Sequence, residues 1–261
     1  MTKKQTQKDN SFPELRENLI RLVNYFQRHN RFIFIMGHMR SGSTLLLHIL
    51  ATNPEIIAGG ERNKVYNTVN DLNSLISEIC LQQNILISHR KIFLDQINHE
   101  KMTPNIDILN TQNLKRVFLL RKPLATISSI VNTFEPIYGN WPVERAVNYY
   151  IQRIKNLELL AKEISSPNNS MLVKYEELTD VPAIILDSLQ KFLALKKPLT
   201  TRYKLQKYTG SRGDPSERIV AGKILHSNGN TDIKIPLPLL NSANSAYTSC
   251  ISTIQEYSIT L

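Results

Sequence analysis

The sequence predicts an α/β protein in which a central parallel sheet is flanked by helices. Short apolar runs that suit buried strands alternate with longer segments of helical spacing, and the connections between them are short. One such unit, residues 32–47, is typical of a buried strand, a glycine-containing turn and an apolar helix. The 261 residues, 41% of them hydrophobic, are enough for one well-buried core. We therefore expect a single domain over residues 13–261, preceded by a disordered tail over residues 1–12.

Composition narrows the class of protein. The formal net charge of +10 favours anionic ligands, but the charges are scattered and no recognisable nucleic-acid-binding module is present, so we expect no nucleic acid partner. Cys80 and Cys250 lie far apart and give neither zinc-ligand spacing nor a disulfide framework. Residues 1–10 lack the apolar core of a signal peptide, and no apolar run approaches the roughly 18 residues of a membrane span. These features predict a cytoplasmic protein without a membrane span.

Apolar spacing places the other elements along the chain. Short apolar runs predict strands, and apolar residues at helical intervals predict helices. Besides the strand that opens at residue 32, the predicted strands are residues 56–58, 85–87, 117–120 and 171–175. The predicted helices are residues 13–30, 43–51, 65–80, 142–164, 182–195 and 239–256, with a further helix opening at Pro123 and a loop or short helix over residues 102–113.

The loop after the first strand has the features of an anion site. Gly37 and Gly42 are spaced as in the nucleotide-binding pattern GxxxxGK followed by Ser or Thr, but Ser43 stands where the lysine should be, and the cation is instead Arg40. A strand–loop–helix unit aims the first N–H groups of its helix at one point, which binds phosphate-like anions. Ser43 and Thr44 add hydroxyl donors there. If this chain were a kinase or NTPase, it would lack the lysine that reaches the β and γ phosphates.

A second block carries a basic residue at the end of a strand. Arg121 follows the apolar run Val117–Leu120, Pro123 opens the next helix, and Ser129 lies eight residues after Arg121. A bidentate guanidinium and a hydroxyl suit a phosphate monoester. The second block therefore predicts another phosphate contact.

The two blocks, GHMRSGSTLL and LLRKPLATISS, together resemble the sulfotransferases that use 3′-phosphoadenosine 5′-phosphosulfate (PAPS). The first is similar to their 5′-phosphosulfate loop, in the form with Arg found in carbohydrate and tyrosylprotein sulfotransferases. The second is similar to their 3′-phosphate motif. The resemblance implies a three-layer α/β/α sandwich with a central parallel sheet, like that of the P-loop NTPases. It also implies transfer of a sulfuryl group from PAPS to an acceptor hydroxyl, with release of 3′-phosphoadenosine 5′-phosphate (PAP).

The resemblance also assigns roles to residues. Arg40 would neutralise charge on the leaving phosphate oxygen and the sulfuryl group. The amides and hydroxyls of Ser41, Gly42, Ser43 and Thr44 would hold the 5′-phosphate, and Arg121 and Ser129 would hold the 3′-phosphate. No metal is expected, because no metal-ligand cluster is visible and sulfuryl transfer carries less charge than phosphoryl transfer.

A candidate base follows the short predicted strand Ile56–Ala58. Gly59 and Gly60 come next, which suggests backbone close to a ligand, and Glu61 lies 21 residues after Arg40. In tyrosylprotein sulfotransferases a Gly-Glu segment at this distance supplies the catalytic base. The resemblance therefore implies that Glu61 removes the proton of the acceptor.

Other interpretations of these residues stay open. Glu61 would also suit the cap of a helix that begins near Arg62, since acidic residues favour that position. Two histidines are rival bases, because a neutral imidazole accepts a proton near pH 7. They are His38, inside the glycine loop, and His89, in a basic turn.

Two weaker matches lie further along the chain. The segment from Lys174 to Leu178 resembles the Tyr-Glu-x-Leu segment of the family, whose Tyr lies beside the adenine. This assigns Tyr175 to the nucleotide, although a buried structural Tyr would look the same. Arg212, in a glycine-containing basic loop, corresponds in position to the family's late loop and would close on the 3′-phosphate.

The sequence leaves the acceptor open. A saccharide, a glycolipid, a tyrosine or a small natural product would fit, and the Arg-containing loop favours a carbohydrate or another alcohol. Two alternatives to a sulfotransferase are a P-loop kinase or NTPase and a non-catalytic nucleotide-binding relative. The missing lysine counts against the first, and the presence of Arg40 and Glu61 counts against the second.

Overall fold

The computed structural model of the chain describes residues 30–85, 91–209, 216–226 and 233–259. The expected tail, nearly all of the helix over residues 13–30, and the candidate residues His89 and Arg212 lie outside the described residues.

The described residues form a five-stranded parallel sheet in the order β2-β3-β1-β4-β5. The strands are β1 (Arg31–Met36), β2 (Ile56–Ala58), β3 (Ile92–Ile97), β4 (Leu114–Leu120) and β5 (Ser170–Lys174). At the end of β1, Met36 pairs with Ile97 of β3 on one side and with Phe118 of β4 on the other. Strand β1 therefore lies at the centre, which agrees with its nearly continuous apolar sequence.

Helices cover both faces of the sheet. They are α1 (Ser43–Thr52), α2 (Val69–Gln83), α3 (Ile106–Leu109), α4 (Pro123–Tyr138), α5 (Val143–Glu163), α6 (Tyr175–Asp180), α7 (Pro182–Phe192), α8 (Glu217–Val220) and α9 (Leu237–Glu256). Short 3-10 turns lie at Glu100–Met102 and Pro167–Asn169.

Two apolar cores lie on the two sides of the sheet. Phe34 and Phe118 belong to the core that packs on α2, α4, α5 and α9. Their strand neighbours Ile35 and Val117 point the other way and belong to the core that packs on α1 and α7. The predicted three-layer α/β/α sandwich with a central parallel sheet is confirmed.

The order of the strands fixes where a ligand would bind. From β1 the chain passes to β2 and returns as β3 beside β1, and it then crosses to β4 and β5 on the other side. In open parallel sheets, ligands bind outside the carboxyl ends of the strands at the point where the strand order reverses. Here that point lies beside the carboxyl end of β1.

The sequence did not predict strand β3. Of the strand expected at residues 85–87, Ile85 is not in a strand, and residues 86–87 lie outside the described residues. The alternative in which Glu61 caps a helix that begins near Arg62 is not supported, since the chain is irregular up to Asn67. Helix α2 begins at Val69 because the Asp71 carboxylate accepts a hydrogen bond from the Thr68 N–H at 2.8 Å and caps the helix there.

In the part of the chain that the structure describes, none of the helices is long and apolar enough to cross a membrane.

Candidate active site

The candidate site lies at the carboxyl edge of the sheet, where several strands deliver one functional residue each. Arg40 follows β1, Glu61 follows β2, Arg121 follows β4 and Tyr175 follows β5. These side chains line one open cavity of about 840 Å³. The cavity also takes in Gly42, Ser43, Thr44 and Ser129, so most of the residues that the sequence singled out lie together.

The glycine loop is shaped by two left-handed residues. Arg40 has φ 61° and Gly42 has φ 93°. A Cβ atom at Gly42 would overlap the ring of Tyr175, so the loop accepts only glycine where this aromatic side chain lies against it. Helix α1 begins directly afterwards, and Ser43 and Thr44 line the cavity. The N-terminal end of α1, with its partial positive charge, therefore faces the cavity.

Ser41 departs from its predicted place. Its side chain is fully buried, it does not line the cavity, and its hydroxyl lies behind the loop, 2.8 Å from where a Cβ of Gly37 would be. Its N–H donates to the carbonyl oxygen of His38 at 3.1 Å, so the amide turns inward as well. The expectation that the Ser41 hydroxyl holds an anion is not supported by this position.

His38 is a buried link between the two sequence motifs. Its Nδ1 donates to the carbonyl oxygen of Met39 at 2.9 Å, and its Nε2 accepts the N–H of Arg121 at 3.2 Å. Burial lowers the pKa of His38 to about 3, so the imidazole is neutral, as this pattern of one donor and one acceptor requires. The ring does not line the cavity, so His38 is not placed to act as the base.

The two basic motifs meet in the cavity. The Nε atom of Arg40 donates to the hydroxyl of Ser129 at 2.9 Å, and Nη1 of Arg121 donates to the carbonyl oxygen of Arg40 at 3.1 Å. The Arg121 guanidinium also lies over the Tyr175 ring, 4.5 Å from its centroid. Burial lowers the pKa of Arg121, but the ordinary pKa of a guanidinium is so far above neutral pH that the group stays charged.

The segment that carries Glu61 is irregular but well anchored. Arg62 and Lys64 both form ion pairs with Glu78 of α2, at 2.9 and 2.6 Å. A Cβ atom at Gly59 would collide with the guanidinium of Arg62, so this glycine makes room for a side chain rather than for the ligand expected from the sequence. Burial raises the pKa of the Glu61 carboxyl, as a general base at neutral pH requires.

Sequence reasoning missed two residues of the cavity, Asn98 and His99, which follow β3. The Asn98 amide nitrogen donates to Ser43 Oγ at 3.0 Å and to Glu61 Oε1 at 3.2 Å. His99 Nε2 lies 3.8 Å from the same Glu61 oxygen. Burial lowers the pKa of His99, with Arg153 acting in the same direction, so its imidazole is neutral near pH 7. No local signal marked them, because the polar residues Asp95 and Gln96 interrupt the apolar run of the strand that precedes them.

Helix α5 holds the loops around the cavity in place. Arg153 is almost fully buried, and it donates to the carbonyl oxygens of Gly37 at 2.9 Å and of Ile97 at 2.8 Å. One helix turn earlier, the Tyr149 hydroxyl accepts the N–H of Met39 at 2.9 Å and donates to the carbonyl oxygen of Asn98 at 3.2 Å. The carboxyl ends of β1 and β3 are therefore fixed to each other through α5.

The charge of the cavity suits an anion. Among its described lining residues, the cations are Arg40, Arg121, Arg218 and Lys223, and the carboxylate is Glu61. Arg218 lies on α8, so the segment after the undescribed Arg212 does reach the cavity. In the described ranges, no group of three or more His, Cys, Asp or Glu side chains is arranged to hold a metal ion.

Solved structures match this chain, although no protein-family model and no curated protein matches its sequence. A sulfotransferase domain from the curacin biosynthetic pathway has a TM-score of 0.62 at 19% identity, with 89% of this chain and 99% of that chain covered. A sulfotransferase domain from the olefin synthase of Synechococcus PCC 7002 has a TM-score of 0.61 at 17% identity, with 89% and 96% covered. Mouse sulfotransferase SULT7A1, solved in complex with PAP, has a TM-score of 0.51 at 12% identity, with 90% and 92% covered.

These likenesses define the class of fold. Each spans nearly all of this chain and nearly all of its counterpart. The chain therefore has the sulfotransferase fold.

Proposed function

We propose that the protein is a PAPS-dependent sulfotransferase, which transfers a sulfuryl group to an acceptor hydroxyl and releases PAP. The observation that carries the proposal is the meeting of the two phosphate-binding motifs in one cavity, through the hydrogen bond from Arg40 to Ser129. The fold of the chain agrees with it.

The residues of the cavity fit the donor. The N-terminal end of α1, with Ser43 and Thr44, would hold the 5′-phosphate. Arg121 and Ser129 would hold the 3′-phosphate, which distinguishes PAP from ADP. Tyr175 lines the cavity beneath Arg121 and would lie beside the adenine. Arg218 and Lys223 add positive charge at the rim of the same cavity.

The reaction is a single displacement at sulfur, for which PAPS is the substrate that supplies the sulfuryl group. The acceptor oxygen forms a bond to sulfur, the bond between sulfur and the 5′-phosphate oxygen breaks, and its electron pair leaves with PAP. Arg40 would stabilise the charge that develops on that oxygen and on the sulfuryl group. Glu61 would take the proton of the acceptor hydroxyl.

His99 is a second candidate for the base. Its imidazole lies beside Glu61 in the cavity and is neutral near pH 7. We propose Glu61 as the base because burial raises its pKa while hydrogen bonding fixes its carboxylate, and we place His99 next to it as a neutral partner.

The acceptor would enter along α4. Ala125, Ser129 and Ile137 of this helix all line the cavity, and 12 residues of helix span about 18 Å, so the cavity follows α4 for that length, away from the proposed phosphate contact at Ser129. Phe134 also lines the cavity, and the side chain of Ile137 is 65% exposed. We therefore propose an alcohol or phenol, a carbohydrate derivative included, that carries some apolar surface.

The test is transfer of radiolabelled sulfate from PAPS to a panel of alcohols, phenols and saccharides, with the Glu61→Gln variant as the matched control. We expect labelled product with at least one acceptor class, and a loss of about 100-fold or more in the variant. Binding of PAP without transfer to any acceptor would instead indicate a non-catalytic relative. Magnesium-dependent turnover of ATP would indicate the kinase or NTPase, which the missing lysine at position 43 disfavours.

A further inference from the structure

Asn98 joins the two halves of the proposed active site with a single group. It lies directly after β3 and its side chain is only 5% exposed. Its amide nitrogen donates to Ser43 Oγ, at the start of α1, and to Glu61 Oε1, on the segment after β2. Ser43 belongs to the donor end of the cavity and Glu61 to the acceptor end. The amide thus bridges the segments that follow β1 and β2, two strands that β3 separates in the sheet.

The chemistry of the partners fixes which way the amide points. An ionised carboxylate can only accept hydrogen bonds, so the nitrogen rather than the oxygen of the amide must face Glu61. The same nitrogen then donates to Ser43 Oγ. Because this hydroxyl accepts from Asn98, its own O–H is left to donate to an anion. One amide thereby orients both the hydroxyl for the donor and the carboxylate for the acceptor.

Asn98 is itself held from the opposite side. The backbone carbonyl oxygen of Asn98 accepts a hydrogen bond from the Tyr149 hydroxyl, which also accepts the N–H of Met39 in the glycine loop. The carbonyl oxygen of the preceding residue, Ile97, accepts from Arg153. The backbone at Asn98 therefore keeps a fixed distance from the glycine loop.

We propose that Asn98 is a positioning residue, whose side-chain amide holds the Glu61 carboxylate, the group that takes the acceptor's proton, in register with Ser43. This inference rests on the proposed function of the site.

A consequence for Glu61 can be measured. A hydrogen bond donated to a carboxylate favours its ionised form, so the Asn98 amide lowers the pKa that burial raises. The other ionisable groups near Glu61 are His99 and Tyr149 of α5, and the cations Arg40 and Arg121 line the same cavity. Burial raises the pKa of Tyr149 to about 12, so its hydroxyl keeps its proton throughout the titration. Burial lowers the pKa of His99, so its imidazole gains a proton only below pH 7, and its ring signals are followed in the same titration to separate the two groups.

The experiment is an NMR titration of the Glu61 carboxyl carbon in the wild type and in Asn98→Ala and Asn98→Asp. In Asn98→Ala we expect the pKa of Glu61 to rise by about 0.5 to 1 unit, the worth of one hydrogen bond. In Asn98→Asp we expect a larger rise, because a second carboxylate stands against the first. The acid limb of kcat should move to higher pH by the same amount, while the affinity for PAP changes far less than kcat. Gln152→Ala, which removes an exposed amide from α5, is the control and should leave the pKa of Glu61 and the acid limb of kcat unchanged.

A second measurement needs no variant. In the wild type, the side-chain amide signals of Asn98 should titrate with the same midpoint as the Glu61 carboxyl. The inference is overturned if the amide signals of Asn98 do not shift as Glu61 titrates. It is also overturned if the pKa of Glu61 is the same in folded Asn98 variants, even if the protein transfers sulfate. Matched titrations in a protein that neither binds PAP nor transfers sulfate overturn the proposed function instead, and with it the catalytic role of Asn98.

Discussion

Arg40 Nε donates a hydrogen bond of 2.9 Å to the hydroxyl of Ser129, and the two residues are 89 positions apart in the sequence. The bond ties the glycine loop after β1 to the first half of α4. Since Arg121 also donates to the carbonyl oxygen of Arg40, the cation proposed to act on the sulfuryl group is held by both residues proposed to bind the 3′-phosphate. The proposed donor site is therefore one connected unit rather than two separate phosphate sites.

Replacing Arg40 should affect rate more than binding. In Arg40→Ala we expect kcat to fall about 100-fold to 1,000-fold, because charge stabilisation at the leaving group is lost in the transition state. We expect the affinity for PAP to fall by less than about tenfold, since the helix terminus and Arg121 remain. Steady-state kinetics and PAP calorimetry give the two values, with the exposed Arg202→Ala as the control. Equal losses in rate and affinity would contradict the role assigned to Arg40.

The pH dependence of kcat should follow Glu61. A base must be ionised to accept a proton, so kcat should rise with pH through the elevated pKa of Glu61 and reach a plateau above it. Burial raises the pKa of Glu61 and lowers that of His99, so the two values approach each other and the wild-type profile does not distinguish them.

Variants separate these two bases. Glu61→Gln should abolish the acid limb and lower kcat by about 100-fold to 10,000-fold, whereas His99→Gln should retain the limb. A limb that persists in Glu61→Gln and disappears in His99→Gln would assign the base to His99.

A third prediction concerns the contact between Gly42 and Tyr175. Gly42→Ala should destabilise the fold by about 1–3 kcal/mol and weaken PAP binding, since the new Cβ overlaps the Tyr175 ring at a left-handed residue. Gly139 is a matched control: it also has a positive φ, of 62°, but a Cβ there meets nothing within 4 Å among the described residues. Gly139→Ala should carry the backbone strain alone and leave PAP binding unchanged. Urea unfolding and PAP calorimetry test this, and similar results for the two variants would rule out the contact as the cause.

The sequence predicted the elements whose signal is local. The glycine loop and the Arg-Lys-Pro segment each combine an apolar strand, a turn signal and a helix start within about 15 residues, so both were found with their neighbouring helices. The long helix over residues 142–164 was found as α5 because its apolar stripe repeats over many turns.

Strand β3 was missed because polar residues interrupt its apolar run. Asp95 is fully buried there, and it is tolerated because it accepts hydrogen bonds from the Tyr66 hydroxyl at 2.6 Å and from the Gln96 N–H at 2.8 Å. The partner in the first bond lies 29 residues away. No local pattern reveals such a pair. Because the strand was not predicted, Asn98, which follows it, was not recognised as a residue of the site.

Residues that act through backbone contacts were equally hidden. Arg153 is one of several charged residues on a long helix, and nothing in the sequence marks it as buried, yet it donates to the carbonyl oxygens of Gly37 and Ile97. The inward turn of Ser41 was hidden as well, since its sequence neighbours on both sides do line the cavity. The direction of a side chain in a loop depends on tertiary packing, which spacing alone does not encode.

The most direct test of the account is calorimetric titration of the protein with PAP and with ADP, repeated with Arg121→Ala and, as the control, Lys122→Ala. Lys122 is the exposed neighbour of Arg121, so its variant removes the same charge outside the cavity. We predict that PAP binds more tightly than ADP, and that the preference is lost in Arg121→Ala and kept in Lys122→Ala. A preference for ADP, or no binding of either nucleotide, would contradict the assignment of this cavity to PAPS.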